Sequence, residues 1–245
     1  MDQTNFTGRS AIVTGGTTGI GRAIAYELAA AGANVVLVGQ DQQHLEETLN
    51  GADGNYADRL KGVLADLSNE DGIKQLFDEA DRELGKLDLF INNAALGAGG
   101  VTEGNYSEWS KVIQTNLTAY VACAGFAAER MKSAGSGHII NIGSMSANTR
   151  EKGSTVYVAT KSGIQGFSES LRKELNESGI KVSLIEPGAV DTDMQPASTE
   201  EKAESVEKME MLQADDIAAA VIYIASQPTR CDVVELKIRP HLQII

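Results

Sequence analysis

Seven short apolar runs, separated by longer segments, constrain the fold of this chain more than any other feature of its sequence. The runs are rich in β-branched residues and occupy residues 10–14, 34–38, 61–65, 87–91, 138–142, 181–185 and 232–238. Each run has the length of a buried strand, and the segments between the runs repeat apolar residues at helical spacing. Strands that alternate with helices predict a doubly wound parallel α/β sheet of about seven strands, with helices on both faces.

Length and charge narrow the class of protein further. A chain of 245 residues without a low-complexity linker predicts one domain that spans residues 1–245. The formal net charge of -13 argues against nucleic-acid or membrane partners, because those surfaces need clustered Lys and Arg. The three histidines are scattered and the two cysteines lack metal-ligand spacing, so we expect no metal site. The N-terminal stretch MDQTNFTGRS lacks the apolar core of a signal peptide, which predicts a cytoplasmic protein.

A glycine-rich turn follows the first predicted strand. Thr14, Gly15, Gly19 and Gly21 form the pattern T-G-x-x-x-G-x-G at a strand-to-helix junction. Glycines at such a junction allow a tight turn and let backbone N–H groups approach a pyrophosphate at the helix N-terminus. The turn therefore predicts a dinucleotide-binding site. The residues between the glycines belong to the same prediction: Thr17, Thr18 and Ile20.

Small and polar residues follow the later strands of the predicted sheet. Because ligands of a doubly wound sheet bind outside the carboxyl ends of its strands, we expect these residues to line the same site. Asp66, after the third strand, is placed to accept a hydrogen bond from an adenine amino group, and Ser144 follows the fifth strand. Val190 and Thr192 are placed to meet the carboxamide of a nicotinamide. The other candidates for contact with the dinucleotide are Leu67, Asn93, Ala94, Ala95, Pro187 and Gly188.

Tyr157 and Lys161 stand four residues apart in a segment with helical periodicity. At this spacing both side chains leave a helix on the same face, close enough for the ammonium group to act on the phenol. A nearby ammonium favours the phenolate and so lowers the pKa of a phenol from its usual value of about 10. A Tyr and a Lys at this spacing are common by chance. The pair therefore indicates a catalytic role only in combination with the glycine turn and Ser144.

These residues together resemble the short-chain dehydrogenase/reductase family, in the group that carries T-G-x-x-x-G-x-G and Y-x-x-x-K. The resemblance covers nearly the whole chain and includes Asn116 in the stretch TNLTAY. It implies a Rossmann fold and a hydride transfer between a nicotinamide cofactor and a carbonyl carbon. Ser144 and Tyr157 would then polarise the carbonyl and exchange its proton. The resemblance also implies that Lys161 holds the nicotinamide ribose and that Asn116 helps to hold a water in a proton relay.

The residues that distinguish NAD from NADP should follow the second predicted strand, where this chain has Gly39 and Gln40. A carboxylate at the first position would receive the ribose hydroxyls of NAD, and an Arg at the second would pair with the 2′-phosphate of NADP. Gly39 lacks the carboxylate that excludes NADP, whereas Gln40 donates only neutral hydrogen bonds. We therefore favour NADP(H) slightly over NAD(H), and use of both cofactors is compatible with these residues.

The resemblance predicts an oxidoreductase that interconverts a small ketone and a secondary alcohol. An NAD-dependent polyol or sugar dehydrogenase is the alternative among enzymes. A nucleotide-sensing protein without turnover is disfavoured, because a protein that only binds a dinucleotide needs no proton donor. The substrate is expected between residues 96–104, 145–155 and 191–211. Within the last range, residues 198–211 fit either a solvated helix or a mobile lid.

Two segments, residues 107–131 and 155–177, are predicted to form long helices. The first contains the stretch AYVACAGFAAERM, whose Ala and Gly residues give a smooth face that another helix can approach closely. In the family that the chain resembles, the two equivalent helices commonly pair across a two-fold axis. We therefore expect a homo-oligomer, either a tetramer or a dimer.

Overall fold

The computed structural model describes residues 5–195 and 197–243. Over these residues, seven parallel strands form one sheet in the order β3-β2-β1-β4-β5-β6-β7. The predicted doubly wound sheet is confirmed, and each predicted run overlaps a strand. The strands are β1 (Ser10–Thr14), β2 (Asn34–Gly39), β3 (Leu60–Leu64), β4 (Leu89–Asn92), β5 (Gly137–Ile142), β6 (Ile180–Pro187) and β7 (Glu235–Ile238).

Helices pack on both faces of the sheet. They are α1 (Gly19–Ala30), α2 (Gln42–Asn50), α3 (Glu70–Leu84), α4 (Tyr106–Ile113), α5 (Ala119–Ala134), α6 (Ser146–Thr149), α7 (Thr155–Leu175), α8 (Thr199–Glu207) and α9 (Ala214–Ala225). The apolar sides of α1 and α9 bury one face with residues such as Leu28 and Ile217, and α3, α5 and α7 bury the other with Leu76, Met131 and Leu175. None of the helices in the described part of the chain has the length and apolar character that crossing a membrane requires.

Two of the differences between the predicted and the observed elements have an identifiable cause. The strand β7 begins at Glu235 rather than at residue 232, because side chains of β6 bind the residues before it: Ser183 Oγ donates to the Val233 carbonyl at 2.6 Å. The predicted helix over residues 107–131 is divided by a π-helical turn, Gln114–Thr118, between α4 and α5. Apolar periodicity continues through this turn, so the pattern alone did not reveal the division.

The strand order determines where a ligand can bind. From the central strand β1 the chain turns to α1 on one face, whereas from its neighbour β4 the chain continues toward α4 and α5 on the other face. Chain segments that diverge from two adjacent strands leave a crevice above their carboxyl ends. The fold therefore places its crevice above the ends of β1 and β4.

Candidate active site

A cleft runs over the carboxyl ends of the strands on both sides of this crevice. It contains two adjoining cavities of about 380 Å³ and about 500 Å³, which we call the β5–β6 cavity and the β2–β3 cavity after the strand ends that line them. The two cavities share Gly15, Thr18, Ala94, Ala95 and Leu96. A long ligand can therefore occupy both and cross the glycine turn between them.

The structure brings most of the predicted site residues to this cleft. The β5–β6 cavity is lined by Gly15, Thr18, Gly19, Ile20, Asn93, Ala94, Ala95, Ser144, Tyr157, Lys161, Pro187, Gly188, Val190 and Thr192. The β2–β3 cavity is lined by Gly15, Thr17, Thr18, Gly39, Gln40, Asp66, Leu67, Ala94 and Ala95. Two predicted residues, Gly21 and Asn116, line neither cavity.

The glycine turn has the backbone that the motif predicts. Gly15 and Gly19 have positive φ angles of 61° and 47°, a region that favours glycine. A Cβ on Gly21 would lie 2.0 Å from the Gly15 carbonyl oxygen, so this glycine lets α1 pack against the turn and does not face the cleft. The helix begins at Gly19, on the cavity wall, and its N-terminus can hold a phosphate anion there.

The side chain of Thr14 joins the two central strands at the base of the cleft. Its hydroxyl oxygen accepts the backbone N–H groups of Asn93 at 2.8 Å and Ala94 at 3.0 Å. The Asn93 amide in turn donates to the Thr14 carbonyl at 3.0 Å. Thr14 is fully buried, so these bonds fix the spacing of the two loops that form the cavity wall.

Ser144 and Tyr157 meet on the wall of the β5–β6 cavity. Two backbone bonds hold the Ser144 loop on β6, from Gly143 N to the Ile185 carbonyl at 2.7 Å and from Met145 N to the Pro187 carbonyl at 2.9 Å. Helix α7 carries Tyr157 to the same wall, where the Ser144 hydroxyl acts to lower the pKa of its phenol. The two hydroxyl groups can therefore act on one substrate oxygen.

Lys161 lies on the same face of α7 and is 2 % exposed. Its Nζ lies 5.6 Å from the centre of the Tyr157 ring and donates to the Ile142 carbonyl at 3.0 Å. The same carbonyl accepts the Tyr120 hydroxyl at 3.0 Å. Burial lowers the pKa of Lys161 to about 7, because an apolar environment disfavours the charged form.

The expected lowering of the Tyr157 pKa by Lys161 was wrong for this structure. Burial raises the pKa of Tyr157 above its usual value, and the hydrogen bond from Ser144 offsets this only in part. The ammonium group is bound by Ile142, and its own lowered pKa reduces its charge near neutral pH. The phenol is therefore protonated at neutral pH and is available as a proton donor.

The side chain of Asn116 is hydrogen-bonded to the protein backbone. Its amide nitrogen donates to the Leu96 carbonyl, and its oxygen accepts the Leu96 N–H, each at 2.7 Å. Asn116 is fully buried in the π-helical turn. Its side chain thus fixes Leu96, which lines both cavities, and its role in a water relay stays a prediction.

Among the residues of the β2–β3 cavity that the motifs did not identify are His44, Lys111 and Thr115. His44 belongs to the first turn of α2, directly after the Gly39 and Gln40 positions, so the loop-to-helix spacing could have suggested it. Lys111 and Thr115 come from α4 and the π-helical turn, and only the tertiary fold brings them here.

The three segments expected around the substrate contribute unequally. From residues 96–104, Leu96 and Gly97 line the β5–β6 cavity, and from residues 191–211 the segment Thr192 to Gln195 does so. No residue of 145–155 lines either cavity. Residues 198–211 also stay outside both cavities and contain α8, a helix with mostly exposed residues.

Comparisons with known proteins agree with this geometry. The sequence pattern of the family described as short chain dehydrogenase matches residues 9–203. An uncharacterized oxidoreductase of Staphylococcus aureus (strain USA300) is 36% identical over 240 residues, which are 97% of this chain and 99% of that protein. A dehydrogenase/reductase from Sinorhizobium meliloti 1021 superimposes with a TM-score of 0.82 at 29% identity, over 97% of both chains. A 3-ketoacyl-(acyl-carrier-protein) reductase from Brucella melitensis, complexed with NADH, shares the fold with a TM-score of 0.86 at 24% identity, over 98% of this chain and 100% of that one.

The chain therefore belongs to the short-chain dehydrogenase family. It is an NAD(P)-dependent oxidoreductase of this family, and the resemblance drawn from its motifs is confirmed. The residues present fit a nicotinamide dinucleotide, because the two cavities adjoin across a glycine turn with a helix N-terminus between them.

The lowered pKa of Lys161 predicts a pH dependence of stability. An unfolded lysine titrates near about 10.4, whereas burial lowers the folded pKa to about 7. Between these values the unfolded chain binds more protons, so the unfolding free energy contributed by this group rises as pH increases from about 7.

The slope of unfolding free energy against pH is measured by urea unfolding at several pH values between about 7 and 9. The proteins compared are the parent, Lys161→Met and the exposed-lysine control Lys173→Met. Lys161→Met should flatten it and Lys173→Met should retain it, and equal slopes in all three proteins would contradict the buried titration.

Proposed function

We propose that this enzyme transfers a hydride between a nicotinamide cofactor and a small ketone or secondary alcohol, with Tyr157 as general acid and base. The proposal depends on one observation: Ser144, Tyr157 and Lys161 line the same cavity as Gly188 and Thr192, next to the glycine turn. Residues expected to contact the cofactor and groups that can exchange a proton therefore line one cavity.

A nicotinamide cofactor, when bound between these residues, would supply the hydride that reaches the carbonyl carbon. Negative charge then develops on the carbonyl oxygen, which needs a hydrogen-bond donor and a proton. Tyr157 can donate that proton, because its raised pKa keeps the phenol protonated. Ser144 can donate a hydrogen bond to the same oxygen, since the backbone of β6 holds its loop in place.

The lining of the β5–β6 cavity favours an uncharged substrate. Among the described residues that line it, Lys161 is the only cation, and its ammonium group is bound to the Ile142 carbonyl. Leu96 and Met194 contribute apolar surface, and Asp193 contributes a negative charge. A phosphate or carboxylate group on the substrate would find no free cation on this wall.

Tyr157→Phe tests the proton-transfer role. The variant keeps the ring that lines the cavity and loses only the hydroxyl, so we expect kcat to fall by about 10²-fold or more while the Kd for the cofactor stays within about twofold. NADPH and NADH oxidation against a panel of small ketones measures turnover, and calorimetry measures cofactor binding. Tyr106→Phe is the control, because Tyr106 is 81% exposed and lines neither cavity. A Tyr157→Phe enzyme with more than about a tenth of the parent turnover would contradict the assignment.

The β2–β3 cavity supports a preference for NADP(H) over NAD(H). A Cβ on Gly39 would lie 2.4 Å from Thr17 Oγ1, so a carboxylate-bearing residue does not fit at this position while Thr17 keeps its place. The neighbouring carboxylate of Asp41 accepts the His44 N–H at 2.9 Å, as the cap of α2. Gly39 therefore offers no carboxylate to the ribose hydroxyls, and one oxygen of the Asp41 carboxylate is already used by the helix cap.

Gln40→Arg tests this reading of the ribose end. Gln40 lines the β2–β3 cavity, and a guanidinium group there can pair with a 2′-phosphate where an amide cannot. We expect the ratio of kcat/KM for NADPH to that for NADH to rise about tenfold, the size of one charge-assisted bond. Gln42→Arg adds the same charge at an exposed position outside the cavity and should leave the ratio unchanged. An unchanged ratio in Gln40→Arg would contradict this assignment and would mean that other residues determine the preference between NADPH and NADH.

We also propose a symmetric homo-oligomer that forms through α5 and α7. On α5, Val121 is 47% exposed and Gly125 has open space at its Cβ position, four residues along the same face. Gly166 on α7 is equally open. Light scattering should give a mass of at least two chains of 26.0 kDa each, and Val121→Asp should lower it. A stable parent mass of one chain with full activity would contradict this assembly.

A further inference from the structure

Helix α8 contains one lysine whose environment differs from that of its neighbours. Lys202 is 8% exposed, whereas the glutamates around it on the helix are exposed. The helix does not need this side chain in order to begin, because Ser198 and Glu201 cap it reciprocally at 2.8 Å and 3.3 Å. Helix formation therefore does not explain why Lys202 is buried.

The ammonium group of Lys202 joins α8 to the loop after β6. Its Nζ lies 3.0 Å from Asp191 Oδ1 and donates to the Thr192 carbonyl at 3.2 Å. The Lys202 side chain is 10% exposed and that of Asp191 is 37% exposed. The ion pair of Lys208 with Glu204 at the end of the same helix has side chains that are 56% and 61% exposed. The Lys202 ammonium group is thus shielded from water although Asp191 is partly exposed, so loss of the Asp191 carboxylate leaves a largely desolvated ammonium group without its charged partner.

The loop that Lys202 holds is a wall of the β5–β6 cavity. Its earlier part is fixed by backbone bonds, from Asp191 N to the Leu212 carbonyl at 2.8 Å and from Leu212 N to the Ala189 carbonyl at 2.9 Å. The next residue, Thr192, faces the glycine turn, since a Cβ on Gly19 would lie 3.0 Å from Thr192 Cγ2. Lys202 therefore binds the loop just beyond these backbone bonds, at the point where the loop reaches the cleft.

We propose that Lys202 is a positioning residue for cofactor binding. By pairing with Asp191 and binding the Thr192 carbonyl, it holds Thr192 at the distance from the glycine turn that the bound dinucleotide requires, and it fixes α8 beside the cavity mouth. The inference rests on the proposed function in one respect, that the β5–β6 cavity takes the nicotinamide end. The charge is needed as well as the length, because the contacts are a carboxylate and a carbonyl oxygen.

The test compares Lys202→Met and Lys202→Arg with the control Lys208→Met, using the full chain. Calorimetric titration with NADP(H) and NAD(H) gives the cofactor Kd without any need for turnover. We expect Lys202→Met to raise the Kd about tenfold for the preferred cofactor, Lys202→Arg to restore most of the affinity, and Lys208→Met to stay within about twofold of the parent. Asp191→Asn should raise the Kd in the same direction, and the double variant with Lys202→Met should cost less than the sum of the two.

The outcomes separate this role from a merely structural one and from failure of the proposed function. A Lys202→Met protein with a lowered melting temperature and an unchanged cofactor Kd would overturn the positioning role. Additive effects of Lys202→Met and Asp191→Asn would overturn the pairing as its basis. A parent protein that binds neither dinucleotide would instead overturn the proposed function, and the inference about Lys202 with it.

Discussion

The cleft depends on the way in which β1 and β4 are joined at their carboxyl ends. Thr14, the last residue of β1, and Asn93, the first residue after β4, are 79 residues apart in sequence, and the Thr14 hydroxyl accepts the Asn93 N–H at 2.8 Å. The reciprocal bond from the Asn93 amide to the Thr14 carbonyl closes this connection. With these bonds in place, Gly15 lies against Ala94 so closely that a Cβ would be 2.9 Å from its Cα. The spacing of the two strand ends, and with it the width of the crevice, follows from these hydrogen bonds.

A second constraint places the chemistry beside that crevice. The Ile142 carbonyl at the end of β5 accepts both the Lys161 ammonium and the Tyr120 hydroxyl. It therefore ties α5 and α7 to the same strand end, next to Ser144. Burying a lysine in this position lowers its pKa to about 7, which is a cost in stability at neutral pH. A buried cation that destabilises the fold and lies beside two hydroxyl groups is typical of a functional site.

The sequence predicts the sheet and the positions of its ligand-facing residues well, for a physical reason. Buried parallel strands require apolar runs, and the residues just beyond them must face the cleft, so Asp66, Asn93 and Thr192 could be located from spacing alone. The π-helical turn at Gln114–Thr118 could not, because it leaves the apolar period intact. The sequence also did not predict that the Asn116 amide binds the backbone of Leu96. It did not predict that the pKa of Tyr157 is raised, because that shift depends on how closely other atoms pack around the ring. Such properties arise from tertiary packing, and a motif records only which side chain is present.

The central claim is that hydride moves directly between the nicotinamide cofactor and a carbonyl carbon in the β5–β6 cavity. The most direct test uses NADPH or NADH that carries deuterium at the transferable position of nicotinamide C4, with a small ketone that the enzyme reduces. Mass spectrometry of the alcohol product then locates the label. The account predicts one deuterium on the carbinol carbon, with a single stereochemical preference at C4 of the cofactor. Alcohol formed without deuterium on that carbon, or tight cofactor binding with no reduction of any ketone or oxidation of any alcohol, would contradict it.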